Sequence, residues 1–389
     1  MRLVTAHLVI SNPQSPIPNL QSPISNYQLP ITNHQSPITT SPTAMPTPSL
    51  KLLERLCNAI AVSGDEGEVR KIVLEQVKPH ADDVRVDALG NVLVRKRASK
   101  RNPLKVLLAA HMDEVGFMIV ADEGDGFYRF DKVGGVDVAY AAGKSVLIGK
   151  KRIPAVIGMK PVHLSDEGPD RKVTLDSLRL DTGGKGGAQV GERVGFSTKF
   201  RRAGNSLFAK ALDDRLGVAV LIELLKRAPT KVELLLAFTV QEEVGLRGAT
   251  VAAHALAPDI AIAVDSTPAR DLPAHDGREH SLYNSKLDHG PAIYIADADT
   301  LPDRRLVEHF AAAGEAEGIP YQFRQPGGGG TDAGAMHQQR EGIPSLSISV
   351  PGRYHHTPTS LARLSDWHNT IRLLHAGLSR MTRSLVQSK

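Results

Sequence analysis

Val232-Glu-Leu-Leu-Leu-Ala-Phe-Thr-Val-Gln-Glu-Glu-Val-Gly245 is the stretch on which the reading of this chain turns. Its apolar run from Val232 to Val240 has the character of a buried strand, and the run ends in two carboxylates and a glycine turn. Adjacent side chains at the mouth of a strand point in different directions, so Glu242 and Glu243 can serve one centre in two capacities. One carboxylate can hold a cation while the other, unligated, moves protons. A solvated Glu-Glu pair in a loop is the alternative. Against it stand His111-Met-Asp113, Asp213-Asp214, Asp265 and His356, each also closing an apolar run.

A chain of 389 residues can build one large domain or two moderate ones. The net charge is +5, but the basic residues are scattered among 42 acids and aromatic residues make up only 4%. That leaves few stacking platforms and argues against a nucleic-acid partner. No unbroken apolar run reaches the ~18 residues a membrane span needs. Cys57 is the only cysteine, so no internal disulfide can form, and a reducing cytoplasm is the expected compartment. Cys57 itself falls in the helical apolar pattern Leu52-Leu53-Glu-Arg-Leu56-Cys57-Asn-Ala-Ile60 and is expected in the core.

Residues 1–44 differ from the rest. They repeat with a period of seven, as in Gln14-Ser-Pro-Ile-Pro-Asn-Leu, Gln21-Ser-Pro-Ile-Ser-Asn-Tyr and Gln28-Leu-Pro-Ile-Thr-Asn-His. A proline in every repeat rules out a helical heptad, and disorder is expected. The segment lacks the basic start and apolar core of a secretory signal and the arginines of a transit peptide, and Met45 is the expected biological start.

From Ser49 onward, helical and strand patterns succeed one another. A capped amphipathic helix at Ser49-Leu-Lys-Leu-Leu-Glu-Arg-Leu56 and a second opened by Ser63-Gly-Asp-Glu-Gly67 and running through Val69-Arg-Lys-Ile-Val-Leu74 lead to a hairpin turning at Gly90 and a buried strand from Leu104 to Ala110. Between Glu123 and Asn205 the texture becomes glycine-rich, with short β runs such as Ser145–Ile148 and no convincing helix. After Asn205 helix and strand alternate again, ending in one helix expected from Ser365 to Val386. The expectation is an α/β catalytic domain over 45–122 and 206–389, interrupted by a small β domain over 123–205.

His111 and Asp113 are spaced i, i+2, which places both on one side of extended backbone, with Asp113 suited to hold the imidazole's other nitrogen. Asp213-Asp214 opens a helix; capping accounts for one of the two, and a carboxylate bridging two cations would account for the other. Asp265 follows Ile260-Ala-Ile-Ala-Val264, where an Asx turn is the bland reading, and His356 lies in the loop after the strand Ser345–Val350. Together these side chains fall after successive strands, where open α/β sheets bind ligands. Two histidines with three carboxylates suit a pair of divalent metals such as zinc, cobalt or manganese.

The motifs Ala110-His-Met-Asp-Glu-Val-Gly116, Ala211-Leu-Asp-Asp-Arg215, Gln241-Glu-Glu-Val-Gly-Leu-Arg-Gly-Ala249, Val264-Asp-Ser-Thr, Gly328-Gly-Gly-Thr-Asp-Ala-Gly-Ala335 and Arg353-Tyr-His-His-Thr-Pro358 together resemble the tetrahedral and glutamyl aminopeptidase family of dinuclear metallopeptidases. The resemblance runs from about Leu50 to Leu385. It implies a mixed-sheet α/β/α catalytic domain with an inserted β-barrel-like domain that helps build a homo-oligomer, a dimer-based assembly up to a dodecamer. It also implies two divalent metal ions, zinc or cobalt, with Asp213 bridging, His111 and Asp265 completing one site, and Glu243 and His356 the other. Glu242 would be the general base and Asp113 would orient His111. The glycine run before Thr331-Asp332, with Gly329 and Gly330, would meet the peptide. The chain departs from the family at His355, which leaves the choice between His355 and His356 as ligand open, and over Thr267–Gly290, where His275, His280 and His289 are expected to be surface residues.

The function so implied is removal of the N-terminal residue from short peptides. Other readings are a carboxypeptidase or deacylase on the same metals, a glycosidase, and a non-catalytic shell. A glycosidase needs two unligated carboxylates, whereas nearly every acid here has a metal role. A non-catalytic shell would be expected to have lost one of these residues.

Overall fold

The computed structural model describes residues 48–99, 101–161, 163, 172–184, 186–273, 285–327 and 329–387. The period-seven repeat and its expected disorder therefore lie outside the described residues, as do His275, His280 and Gly328.

Four strands form the centre of an eleven-stranded mixed sheet, and they run parallel in the order Val232–Thr239, Leu104–His111, Ile260–Pro268 and Ser345–Arg353. Each is almost wholly buried. That is why their sequences run apolar without alternation: a parallel strand covered on both faces has no polar side to display. The hairpin Asp83–Val86 and Val92–Lys96 extends one side of the sheet antiparallel. Ser360–Arg363, Ser206–Ala209 and Arg201–Ala203 extend the other, while Ala292–Tyr294 and Gln322–Arg324 branch from Ser345–Arg353.

Side chains of odd number on the central strands, among them Leu107, Ala109, Leu235, Ala237, Ala261 and Ala263, pack with the helices Arg247–Leu256 and Asp332–Met336. The opposite face carries the helix Leu212–Leu225, itself covered by Leu50–Asn58 and Leu364–Arg380. Leu212–Leu225 is apolar nearly all round because it lies between a sheet and a second layer of helices. The Ser49 hydroxyl accepts from the Leu52 N–H at 3.2 Å and caps the first helix as its sequence predicts.

Between sheet strands the chain folds into a closed six-stranded barrel, ordered Gly116–Gly124, Phe127–Val133, Leu178–Asp181, Ile153–Met159, Ser145–Ile148 and Arg193–Phe196. Phe117 sits edge-on to Phe130 at 5.1 Å and to Phe196 at 5.6 Å in its core. The barrel starts at Gly116, not after Glu123, and its last strand ends at Phe196; Arg201–Ala203 and Ser206–Ala209 have already returned to the large sheet. The expected boundary at Glu123 falls inside the first barrel strand, whose first half, Gly116-Phe-Met-Ile119, lacks the glycine-rich texture that marks the rest of the insertion. The closing helix also stops earlier than its pattern suggests. It ends at Arg380 because Met381 is extended and buried, and only a short helix, Ser384–Gln387, follows. Among the described residues no helix is long and apolar enough to cross a membrane.

Candidate active site

The parallel strands bring their carboxyl ends into one line, with His111 opposite Thr239 in register. His111 is buried, its Nε2 3.1 Å from Asp213 Oδ1, 3.8 Å from Asp265 Oδ1 and 4.0 Å from Glu242 Oε2. Its Nδ1 lies 3.2 Å from the Asp113 backbone oxygen and 3.5 Å from Asp113 Oδ1. Asp113 is fully buried and does more than face the ring. It accepts from the Ser63 hydroxyl at 2.6 Å and from the backbone N–H groups of Glu242 at 3.1 Å and Glu243 at 3.2 Å. One carboxylate thus holds the histidine and the loop bearing both glutamates.

Asp213 stands between two imidazoles. Its Oδ1 faces His111, and its Oδ2 lies 3.5 Å from His356 Nε2, which is itself 3.3 Å from Glu243 Oε1. The adjacent aspartates divide their work. Asp213 and Asp214 have non-helical backbone and a cis peptide between them. Asp214, fully buried, accepts from the Gly217 N–H at 2.8 Å and the His111 N–H at 3.3 Å. It is the capping half of the pair. His355 and His356 both approach Asp213, but His355 is turned so that Nδ1 pairs with Ser266 Oγ at 2.9 Å. His356 alone of the two also meets Glu243. The ligand atoms of His111, Asp213 and Glu243 lie within 4.8 Å of one another, as do those of His111, Asp214 and Asp265.

Burial pushes the carboxyls of Glu242, Asp265 and Asp214 well above the ordinary carboxylate range, and neighbouring acids push them further. Burial opposes a charge on His111, yet Glu242 and the other carboxylates outweigh it and raise that imidazole well above its ordinary value. His356 is pushed up to about 11, with Asp213 and Glu243 overriding its burial. Lys210 and Arg215, the cations buried alongside, are committed to Glu114: Lys210 Nζ reaches both its oxygens at 2.7 and 2.8 Å, and Arg215 Nη2 reaches Oε1 at 3.0 Å. The centre holds an excess of buried acid with imidazole nitrogens among it. This donor chemistry fits divalent cations.

Thr331 and Asp332 are buried anchors of their loop. Thr331 caps the short helix by accepting from Ala333 N–H and pairs with Ser347, while Asp332 Oδ2 accepts from Thr239 Oγ1 at 2.6 Å. The Gly329 and Gly330 backbone lies just before them. His289 is exposed, as expected of a surface residue, with its Nδ1 2.8 Å from the Leu287 carbonyl oxygen. The sequence assigns no site role to Ser63, Glu114, Lys210 or Arg215, although Glu114 and Arg215 stand inside the motifs Ala110–Gly116 and Ala211–Arg215. The signal was present for Lys210, a lysine inside the apolar run Phe208-Ala-Lys-Ala-Leu212.

The M42 glutamyl aminopeptidase family profile matches residues 90–373. A putative aminopeptidase of Acetivibrio thermocellus is 36% identical over 334 residues, covering 83% of this chain and 96% of that protein. The aminopeptidase APDkam598 of the archaeon Desulfurococcus kamchatkensis superposes with a TM-score of 0.82 at 34% identity, covering 87% of this chain and 96% of that one. The TET1 peptidase of Pyrococcus horikoshii, which can assemble into a tetrahedron or a large octahedral shell, has a TM-score of 0.75 at 30% identity, covering 85% and 99%. Fold, site and relatives define a peptidase of the hydrolase class, and specifically an aminopeptidase. The chain belongs to the M42 glutamyl aminopeptidase family.

Proposed function

We propose that this aminopeptidase removes the N-terminal residue of short peptides at a centre of two divalent cations, zinc or cobalt. Asp213 lies between the two sites, His111 and Asp265 complete one, and Glu243 and His356 the other. The observation that carries the reading is that the two oxygens of Asp213 face two different imidazoles, each with an acid of its own nearby. Cations bound there supply electrophilic charge and raise the acidity of water.

Glu242 is the acid left without a ligand role. Its burial and the negative charge around it raise its proton affinity, which suits a group that takes a proton from the attacking water and returns it to the departing amine. The Gly329-Gly330 backbone, set by the buried Thr331 and Asp332, offers a close approach for the peptide main chain. A homo-oligomer, which the similarity to the shell-forming TET1 peptidase supports, belongs to the same proposal, as do an interface through the barrel and a cytoplasmic setting.

The test is hydrolysis of Leu, Glu and Lys p-nitroanilides and N-acetyl-Leu p-nitroanilide, with and without added metal, by wild type and Glu242→Gln. Metal-dependent release from free but not acetylated substrates, lowered about 10²- to 10⁴-fold in the variant, is expected. Cleavage of the acetylated substrate, or full activity in Glu242→Gln, overturns the assignment.

A further inference from the structure

The two imidazoles of the proposed centre are oriented from different places. His111 is held within its own strand end, by Asp113. His356 takes nothing of the kind from its own strand. Its Nδ1 lies 3.1 Å from the carbonyl oxygen of Gly135, 221 residues away in sequence, in the loop leaving the barrel strand Phe127–Val133. A carbonyl only accepts, so Nδ1 carries a hydrogen and Nε2, on the side of Glu243 and Asp213, is the nitrogen left for a cation.

The loop's shape permits this approach and little else. A Cβ on Gly135 would stand 3.0 Å from His356 Nδ1 and 3.5 Å from its Cε1. At Gly134, φ is +83°, and a Cβ would stand 3.3 Å from the Cβ of Glu243 and 3.0 Å from a methyl of Val115. The two glycines therefore lie directly against two of the proposed ligands. The next residue, Val136, is buried in the barrel's hydrophobic core, so the loop is anchored to the barrel. Val115 and Phe196, also of that core, line the small pocket shared by Asp213, Glu243 and His356.

We propose that the Gly134-Gly135 loop is a positioning element of the metal centre. The Gly135 carbonyl sets the tautomer and direction of His356, so the Glu243–His356 site is complete only with the barrel seated. Neither the Gly135 carbonyl nor the Gly134-Gly135 loop is what orients His111, whose Nδ1 faces Asp113. This inference rests on the dinuclear reading above.

The test uses the whole protein and zinc or cobalt alone, titrated against a competing chelator. Wild type takes up two cations with separable affinities. Gly135→Ala keeps its fold by circular dichroism, because Gly135 lies outside the left-handed region, yet one of its two affinities falls about 10- to 100-fold while the other is unchanged. A wild-type measurement stands beside it: cobalt-loaded protein shows two exchangeable, hyperfine-shifted ring N–H protons, one per imidazole. Unchanged affinities in Gly135→Ala, loss of both in a folded variant, or a single ring N–H in fully loaded wild type overturns the inference alone. Uptake of fewer than two cations by wild type overturns the dinuclear reading and the inference with it.

Discussion

The His111 half and the His356 half of the site are built from the same chemistry and in opposite ways. His111 ends a fully paired central strand, its side chain is 3% exposed, and it rests on a buried network of Asp113, Ser63, Glu114, Arg215 and Lys210. His356 sits in a loop at φ +57°, its side chain is 39% exposed, and a barrel loop steadies it. The rigid half gets its precision from burial and from charges that are paired with one another and with nearby backbone groups. The exposed half gets its precision from docking. A fold can therefore place one imidazole by secondary structure and the other through a contact from a second domain.

The largest expected effect lies beneath the His111 half. Glu114 is the counter-ion of both Lys210 and Arg215, and it accepts from the Ala61 N–H. Arg215 also donates to the backbone carbonyls of the adjacent Met112 and Asp113, in the turn that follows His111. Glu114→Ala strands two buried cations and is expected to destabilise the protein by about 3–5 kcal/mol in denaturant titration. A loss no greater than that of an exposed ion pair would show that the two halves are not differently founded.

A smaller effect is expected at Ser63, which links the halves. Its hydroxyl donates to Asp113, and its carbonyl accepts from Arg193 Nε of the barrel at 3.0 Å. Ser63→Ala removes one bond to a buried carboxylate and should cost about 1–3 kcal/mol of stability. Because Asp113 also holds the Glu242 and Glu243 N–H groups, kcat should fall with little change in KM. A change confined to KM would place Ser63 outside this chain of contacts.

The smallest effect sharpens the comparison at high pH. Cys57 lies fully buried behind the His111 half, and burial pushes its thiol up from 9.0 to about 12. The folded state therefore holds that proton more tightly than the unfolded state. Its contribution is fully present below pH 9 and is lost as pH rises toward 12. The stability gap between wild type and Cys57→Ala should narrow over that window, and a thiol reagent at pH 8 should label the native protein only as fast as it opens. Rapid labelling of folded protein would mean the rigid half is not closed.

Much of this was legible in one dimension. Continuous apolar runs marked the four central strands, since a strand covered on both faces must read so, and charged residues at their ends marked Glu242, Glu243, His111 and Asp265. The pairing of Asp213 with Asp214 was visible and the family resemblance implied the central place for Asp213, but the residues alone did not say which one capped and which one faced the imidazoles. Both are aspartates, and only the turn of the backbone between them separates their directions. The barrel's start at Gly116 was hidden because its first residues are as apolar as the strand before them.

The sequence by itself determined the layered α/β order, the interruption by β structure, and the set of acids and imidazoles gathered at the strand ends, because hydrophobic periodicity and strand termini are local properties of the chain. Tertiary structure alone decided that Glu114 answers two buried cations, that Asp113 grips the Glu242-Glu243 backbone, and that Gly135 meets His356. Those contacts join residues 96, 129 and 221 positions apart, and no local pattern carries information across such distances. Only the packing of barrel on sheet brings a bare carbonyl, from a residue with no side chain to announce it, to His356 Nδ1.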